Sequence, residues 1–163
     1  SNINNNVKIV YDGKSKKPSM KVTYKSTTLK EGKDYSVTYG ENKKSGKGTI
    51  TLYGMGNFTG IKSATFKIYP SKVTGEKVTK KTTSTLTLSW KKQDGVSGYR
   101  IYRATSSNGK YTYIGSTSSK VNTYTDKRLT RNKTYYYKIR AYKNLNNEKL
   151  YGDYSKVLKA KTK

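Results

Sequence analysis

The chain has no cysteine and no histidine among its 163 residues, and only nine acidic residues against 35 lysines and arginines. Without cysteine there is no disulfide, thiol nucleophile or thiolate metal site. Without histidine there is no Ser-His-Asp triad and no proton shuttle poised near neutral pH. No run of about 18 apolar residues occurs, so insertion in a membrane is not expected. The acids are Asp12, Glu31, Asp34, Glu41, Glu76, Asp94, Asp126, Glu148 and Asp153. Most stand beside Gly or Asn in predicted turns, which reads as turn chemistry plus local pairing with lysine. A glycosidase would need two of them converging across a cleft. No Asp-x-Asp-x-Asp loop suggests calcium, and no glycine-rich loop opens a helix for phosphate. These absences exclude most enzyme classes; no catalytic residue, metal or cofactor is expected. No signal-peptide pattern or sorting motif is present.

What is present is charge and tyrosine. The formal net charge is +26, and the chain carries 17 Tyr, one Trp and two Phe. So large an excess costs self-repulsion in the compact state, which fits attraction to a polyanion or a need for solubility. Lysine outnumbers arginine 30 to 5, so part of the charge is also consistent with the codon bias of an AT-rich genome. Hydrophobic residues are 31%, low for a globular chain. Tyrosine compensates, because its ring can be buried while its hydroxyl stays wet. Ser1-Asn2 reads as an expression scar, and the chain as a piece of a longer protein.

Period-2 alternation with frequent turn signals predicts an all-β chain of two tandem β-sandwiches. Pro70 lies in Ile68-Tyr69-Pro70-Ser71-Lys72 and restricts the backbone between two strand-rich regions. The boundary is placed there, giving domains 1–70 and 71–163. The first carries net +9 and the second +17. Strands are expected near Lys8–Tyr11, Ser19–Tyr24, Tyr35–Tyr39, Gly48–Tyr53 and Ala64–Tyr69. Tyr35, Val37 and Tyr39, Ile50 and Leu52, and Phe66 and Ile68 should face one core. In the second half, Leu86, Leu88 and Trp90, then Tyr99 and Ile101, then Tyr135, Tyr137, Ile139 and Ala141 alternate likewise, and Ser155–Thr162 reads as a last strand.

Three segments carry a resemblance in the first half: Tyr11-Asp12-Gly13-Lys14 through Pro18, Leu29 through Tyr35, and Gly54-Met55-Gly56-Asn57-Phe58-Thr59-Gly60. The region resembles the bacterial immunoglobulin-like repeats of Gram-positive surface and secreted proteins. In the second half, Trp90, Gly98-Tyr99-Arg100-Ile101-Tyr102 and Leu129 six residues before Tyr135 resemble the fibronectin type III domain. That resemblance implies a tyrosine corner, with the Tyr135 hydroxyl bonded back to the preceding loop. The turn Thr130-Arg131-Asn132-Lys133 departs from the usual proline-containing connector.

If Tyr99 and Ile101 point inward, Arg100 and Tyr102 point outward. By the same alternation Tyr136, Lys138, Arg140 and Tyr142 point outward, and so do Lys159 and Lys161. In the fibronectin type III arrangement these strands are neighbours, so the eight side chains form one candidate ligand face. Arginine forks suit phosphate, sulfate and carboxylate, and tyrosine faces suit sugar rings. The same pattern also arises where cross-strand Tyr–Lys and Tyr–Arg pairs only stabilise an exposed sheet. Two functions are compatible with these features. One is a non-catalytic, monomeric, extracellular spacer and adhesion pair, secreted or wall-associated, held to anionic polysaccharide or cell-wall polymer by charge. The other is an accessory C-terminal region of a large secreted protease or glycan hydrolase, with the catalytic domain elsewhere in the parent. No recognised nucleic-acid motif occurs, and charge alone would give only nonspecific binding.

Overall fold

The computed structural model describes residues 8–163, so Ser1-Asn2 lies outside it. Among the described residues there are strands, turns and loops but no helix. The chain divides into two compact units, Ser1–Tyr69 and Pro70–Lys163.

The described residues of the first unit form six strands: β1 (Ile9–Val10), β2 (Thr23–Tyr24), β3 (Thr27–Thr28), β4 (Tyr35–Tyr39), β5 (Gly46–Gly54) and β6 (Ile61–Tyr69). Four of them form a sheet in the order β1-β6-β5-β4, with β1 parallel to β6 and the other pairs antiparallel. Alternation puts Tyr35, Ile50, Leu52, Phe66 and Ile68 in the core with Val22, because residues two apart on a strand share a face. Ile9, Tyr11, Met20, Leu29, Val37 and Tyr39 pack around them. The expected strand over Ser19–Tyr24 is shorter than its sequence pattern. Only Thr23 and Tyr24 pair, and they pair with Thr27 and Thr28 in a local hairpin whose Lys25 takes a positive φ. Met20, Val22 and Leu29 therefore cover the sheet from a loop and a hairpin. One register position needs glycine. Gly48 sits directly opposite Phe66, and a Cβ there would run into the Phe66 ring.

The second unit contains β7 (Lys77–Lys81), β8 (Leu86–Ser89), β9 (Gly98–Ala104), β10 (Thr112–Ser118), β11 (Thr123–Asp126), β12 (Thr134–Leu145), β13 (Glu148–Tyr151) and β14 (Leu158–Lys161). One sheet runs β11-β8-β7. The other runs β10-β9-β12-β13, with β14 also pairing β12. Leu86, Leu88, Trp90, Tyr99, Ile101, Tyr137, Ile139 and Ala141 fill the space between the sheets. Trp90 meets Tyr99 edge to face at 5.3 Å between ring centroids, an arrangement aromatic quadrupoles favour. Each of the buried Leu and Ile side chains among these contributes about 1.5–3 kcal/mol of transfer free energy.

Two polar features lock this sandwich. Thr130 N–H donates to the Tyr135 hydroxyl at 2.9 Å, which is the corner that the resemblance implies. Asn132 takes a left-handed φ in the turn beside it, a conformation asparagine tolerates better than most residues. Thr162 closes the same corner, accepting from Lys133 N–H at 3.0 Å and donating to the Thr130 carbonyl at 2.7 Å. Burial alone would raise the Tyr135 hydroxyl pKa, but the Thr130 hydrogen bonds and the charges of Lys133 and Arg103 bring it below its ordinary value. The second feature corrects the expectation that the acids are turn residues with lysine partners. Asp126 ends strand β11, is buried, and accepts from Arg103 Nη1 at 3.0 Å and from the Tyr137 hydroxyl at 2.8 Å. A buried carboxylate needs partners of this kind, because unpaired it would be strongly destabilising.

A tyrosine-arginine face on the second unit

The candidate face is built on the outer side of the larger sheet. Arg100 and Tyr102 project from β9, and Tyr136, Lys138, Arg140 and Tyr142 project from β12. Arg100 lies directly opposite Arg140, and Tyr102 directly opposite Lys138. Two like charges in such a cross-strand pair normally repel. Tyrosine rings insulate them here. The Arg140 guanidinium lies 3.9 Å from the Tyr151 ring centroid, 4.7 Å from Tyr154 and 5.1 Å from Tyr102. The Arg100 guanidinium lies 5.1 Å from Tyr113 and 5.2 Å from Tyr151. Lys138 Nζ stands 4.2 Å over Tyr111. Arg140 Nε and Nη2 also donate to the Tyr102 hydroxyl at 3.1 and 2.7 Å.

Strand β13 and the loop after it supply the covering rings. β12 runs on to Leu145, and the chain reverses at Asn146-Asn147, where Asn146 has a positive φ. That reversal brings Tyr151 opposite Tyr142. Gly152 N–H then donates to the Ala141 carbonyl, and Ser155 N–H to the Ile139 carbonyl. The stretch between those two bonds bulges outward and lays Tyr154 against Tyr102, edge to face at 5.2 Å. Gly152 itself is buried against Pro70 and Ser71, where a Cβ would come within 2.8 Å of both carbonyl oxygens.

The eight expected residues are not equivalent. Arg100, Tyr102, Lys138 and Arg140 come together. Tyr142 joins at the margin, 6.3 Å from Tyr151 and with Lys149 Nζ 5.8 Å over its ring. Lys159 and Lys161 are exposed on β14, opposite Tyr136 and Thr134. Tyr136 is four residues, or about 13 Å, along β12 from Arg140. The expectation for Tyr102 needs correction. It lies on the outer face but is only 7% exposed, because Arg140, Tyr113 and Tyr154 cover it. The rings of this face most open to solvent are Tyr113, 50% exposed, and Tyr154, 38% exposed. Neither was among the expected residues, nor were Tyr111 and Tyr151. The signal for the first pair was the Tyr111-Thr112-Tyr113 alternation, and for the second the spacing Tyr151-Gly152-Asp153-Tyr154 behind the Asn146-Asn147 turn. Burial raises the hydroxyl pKa of Tyr154 and of Tyr111. Among the described residues, no three Asp or Glu side chains come close enough to hold a metal ion.

A three-strand sheet packed on a larger antiparallel one, closed by a Tyr135 corner and a buried Trp90, defines a β-sandwich module of the immunoglobulin-like class. The sequence profile of the fibronectin type III domain matches residues 71–157, and the chain belongs to that family. Among solved structures, the chain is similar to the FN1–FN3 domains of chicken CNTN1 at 17% identity and TM-score 0.51, covering 74% of this chain and 44% of that one. It is also similar to a two-domain fibronectin type III segment of chicken tenascin at 17% identity and TM-score 0.54, covering 72% of this chain and 64% of that one. The chain thus spans less than two thirds of either structure, and at these identities the likeness is one of fold. No curated protein matches it. Fibronectin type III domains are generally non-catalytic, typically extracellular, and commonly used as spacers or adhesion elements.

Proposed function

We propose that this chain is a monomeric, non-catalytic spacer and adhesion pair from a secreted or wall-associated Gram-positive protein, with a bacterial immunoglobulin-like first unit. On this reading the outer face of β10, β9, β12 and β14 holds it to an anionic glycan or wall polymer by charge. The observation that carries the reading is the direct pairing of Arg100 with Arg140, with Lys138 on the same strand and Lys159 and Lys161 beyond. Tyrosine rings hold both guanidinium groups in place but leave their charge uncancelled, and a polyanion would neutralise it. The exposed Tyr113 and Tyr154 rings add stacking surfaces for sugar. A parent secreted protease or glycan hydrolase is also compatible, since the same module would serve it as an accessory region; reading the parent open reading frame separates the two.

The test uses the full chain on immobilised heparin and on lipoteichoic acid, eluted with sodium chloride. Elution is expected below about 0.5 M, because exposed charges are screened within about 8–10 Å at physiological ionic strength. A variant with Lys138→Ala, Lys159→Ala and Lys161→Ala should elute at clearly lower salt with its fold intact. Unchanged elution of that variant, or retention indifferent to salt, would refute the proposed face.

A further inference from the structure

The first unit carries a cleft that the charge-based reading does not use. Two of the three segments that mark this unit in sequence meet there. Leu29, Asp34 and Tyr35 form one wall, and Gly54, Phe58, Thr59 and Gly60 form another. The cleft's volume is about 250 Å³, just below the usual range of small-ligand pockets, which limits an occupant to about one sugar ring. Tyr24, at the tip of the β2–β3 hairpin, is 55% exposed and meets Phe58 edge to face at 5.7 Å. The two rings make an apolar corner at the mouth of the cleft.

The walls are held before any ligand arrives. Gly54 N–H donates to the Gly60 carbonyl at 2.9 Å, Met55 N–H to the Asp34 carbonyl at 2.9 Å, and Phe58 N–H to the Met55 carbonyl at 3.0 Å. Gly54 has no room for a side chain, since a Cβ would lie 2.7 Å from the Phe58 carbonyl oxygen. The Asp34 carboxylate is fixed by the Lys30 N–H, which donates to Oδ2 at 2.8 Å. A carboxylate has about four acceptor positions, and Asp34 is among the residues that line the cleft. Thr23, Thr59 and Lys62 add hydroxyl and ammonium groups to the lining.

From this geometry we propose that the cleft binds a single neutral pyranose ring of a glycan. An aromatic corner suits the C–H face of a sugar, and a fixed carboxylate flanked by hydroxyls suits its equatorial OH groups. The lining residues include one acid and one lysine, Asp34 and Lys62, and Lys25 Nζ stands 5.7 Å over the Tyr24 ring, so the cleft has no arginine pair or lysine row of the kind that gathers a polyanion. This sets it apart from the arginine face. Binding here is independent of that face and should survive salt that abolishes retention on heparin.

The experiment is amide-resolved NMR of the full chain in 0.5 M sodium chloride, titrated separately with N-acetylglucosamine, glucose, galactose and rhamnose. At least one sugar is expected to shift the amides of Tyr24, Asp34, Thr59 and Gly60 at millimolar concentration, leaving those of Arg100 and Arg140 unmoved. Tyr24→Ala changes an exposed side chain and should weaken that response about tenfold, the loss expected for one stacked ring. Asp34→Asn, which keeps an oxygen for Lys30 N–H, should weaken it while the remaining spectrum stays folded. No shift at the cleft with any of the four sugars overturns the proposal. So does an undiminished response in Tyr24→Ala, or cleft shifts that appear on raising protein concentration alone, which would make the occupant a second copy. Failure of the heparin experiment leaves this result untouched, so the two readings fall separately.

Discussion

The two units build cores from the same alphabet in different amounts. In the second, Trp90, Tyr99, Tyr137 and ten further buried residues fill the space between two paired sheets. In the first, among the described residues, five buried residues lie on one sheet, covered by buried Val22 and by hairpin and loop residues that are only partly buried. The difference follows from what each sequence offers the opposite layer. Residues 77–89 and 123–126 supply three strands that hydrogen-bond to one another. Residues 19–29 supply four strand residues that pair only among themselves. A core closed by two sheets excludes water on both sides of each buried ring, whereas one closed by loops leaves Tyr11, Met20 and Tyr39 half in water. The first unit should therefore be the weaker of the two.

The largest expected effect tests that ranking. Phe66→Ala removes the ring that covers Gly48 and should cost about 3–5 kcal/mol, enough to unfold the first unit at ordinary temperature. Calorimetry of the native chain is expected to show two transitions, the lower one vanishing in this variant. Trp90 is the chain's single tryptophan and sits in the second unit's core, so its emission should not change. A concurrent shift of that emission would show that the units do not fold independently.

The next effect belongs to the second unit. Asp126→Ala leaves the Arg103 guanidinium and the Tyr137 hydroxyl without their shared acceptor. The expected cost is about 3 kcal/mol, read as a fall in the urea midpoint of Trp90 emission. A cost below about 1 kcal/mol would mean that water replaces the carboxylate and that the pair is effectively solvated.

Alternation makes most of this core legible in the sequence. Leu86 and Leu88, Tyr99 and Ile101, and the four inward residues from Tyr135 to Ala141 all face inward, because a strand has one period and that period shows in the order of residues. Asp126 is not legible in this way. It ends strand β11, yet a buried acid depends on an arginine 23 residues earlier, and no local pattern carries that pairing. The candidate face is half legible for the same reason. Period-2 places Arg100 and Arg140 on one side, but the covering Tyr151 and Tyr154 depend on a hairpin at Asn146-Asn147 and a bulge beyond it. Exposure does not follow from alternation either. Tyr102 points outward in register and is still buried by side chains from β10, β12 and the bulge.

Alkaline pH should sharpen the comparison. Burial pushes the Tyr137 hydroxyl far above its ordinary value, reinforced by its bond to Asp126, and burial likewise raises Tyr99 and Tyr124. In the first unit burial raises Tyr35 and Tyr39, with Glu31 adding to each. A hydroxyl whose folded pKa exceeds its unfolded value stays protonated in the native state while the unfolded chain ionises. Stability is then flat below about pH 10 and falls above it, by up to about 1.4 kcal/mol per pH unit for each such tyrosine. Urea midpoints at pH 9, 10 and 11 should show the second unit losing more per unit of pH. A midpoint that rises across that range would contradict the sign.

The smallest effect isolates the corner. Tyr135→Phe keeps the ring and its burial but removes the hydroxyl that accepts from Thr130 N–H. A typical hydrogen bond contributes about 1 kcal/mol net, and Thr130 is exposed, so water can satisfy its freed amide. The loss should therefore be about 1 kcal/mol in the second unit and nothing in the first. Thr162→Val cuts the hydroxyl's bonds in the same corner, from Lys133 N–H and to the Thr130 and Lys133 carbonyls. Because these groups share one turn, the double variant should cost less than the two single losses added together. Strict additivity would mean that the turn is held by its own backbone, with Asn132 in its left-handed conformation, and that the hydroxyls merely decorate it.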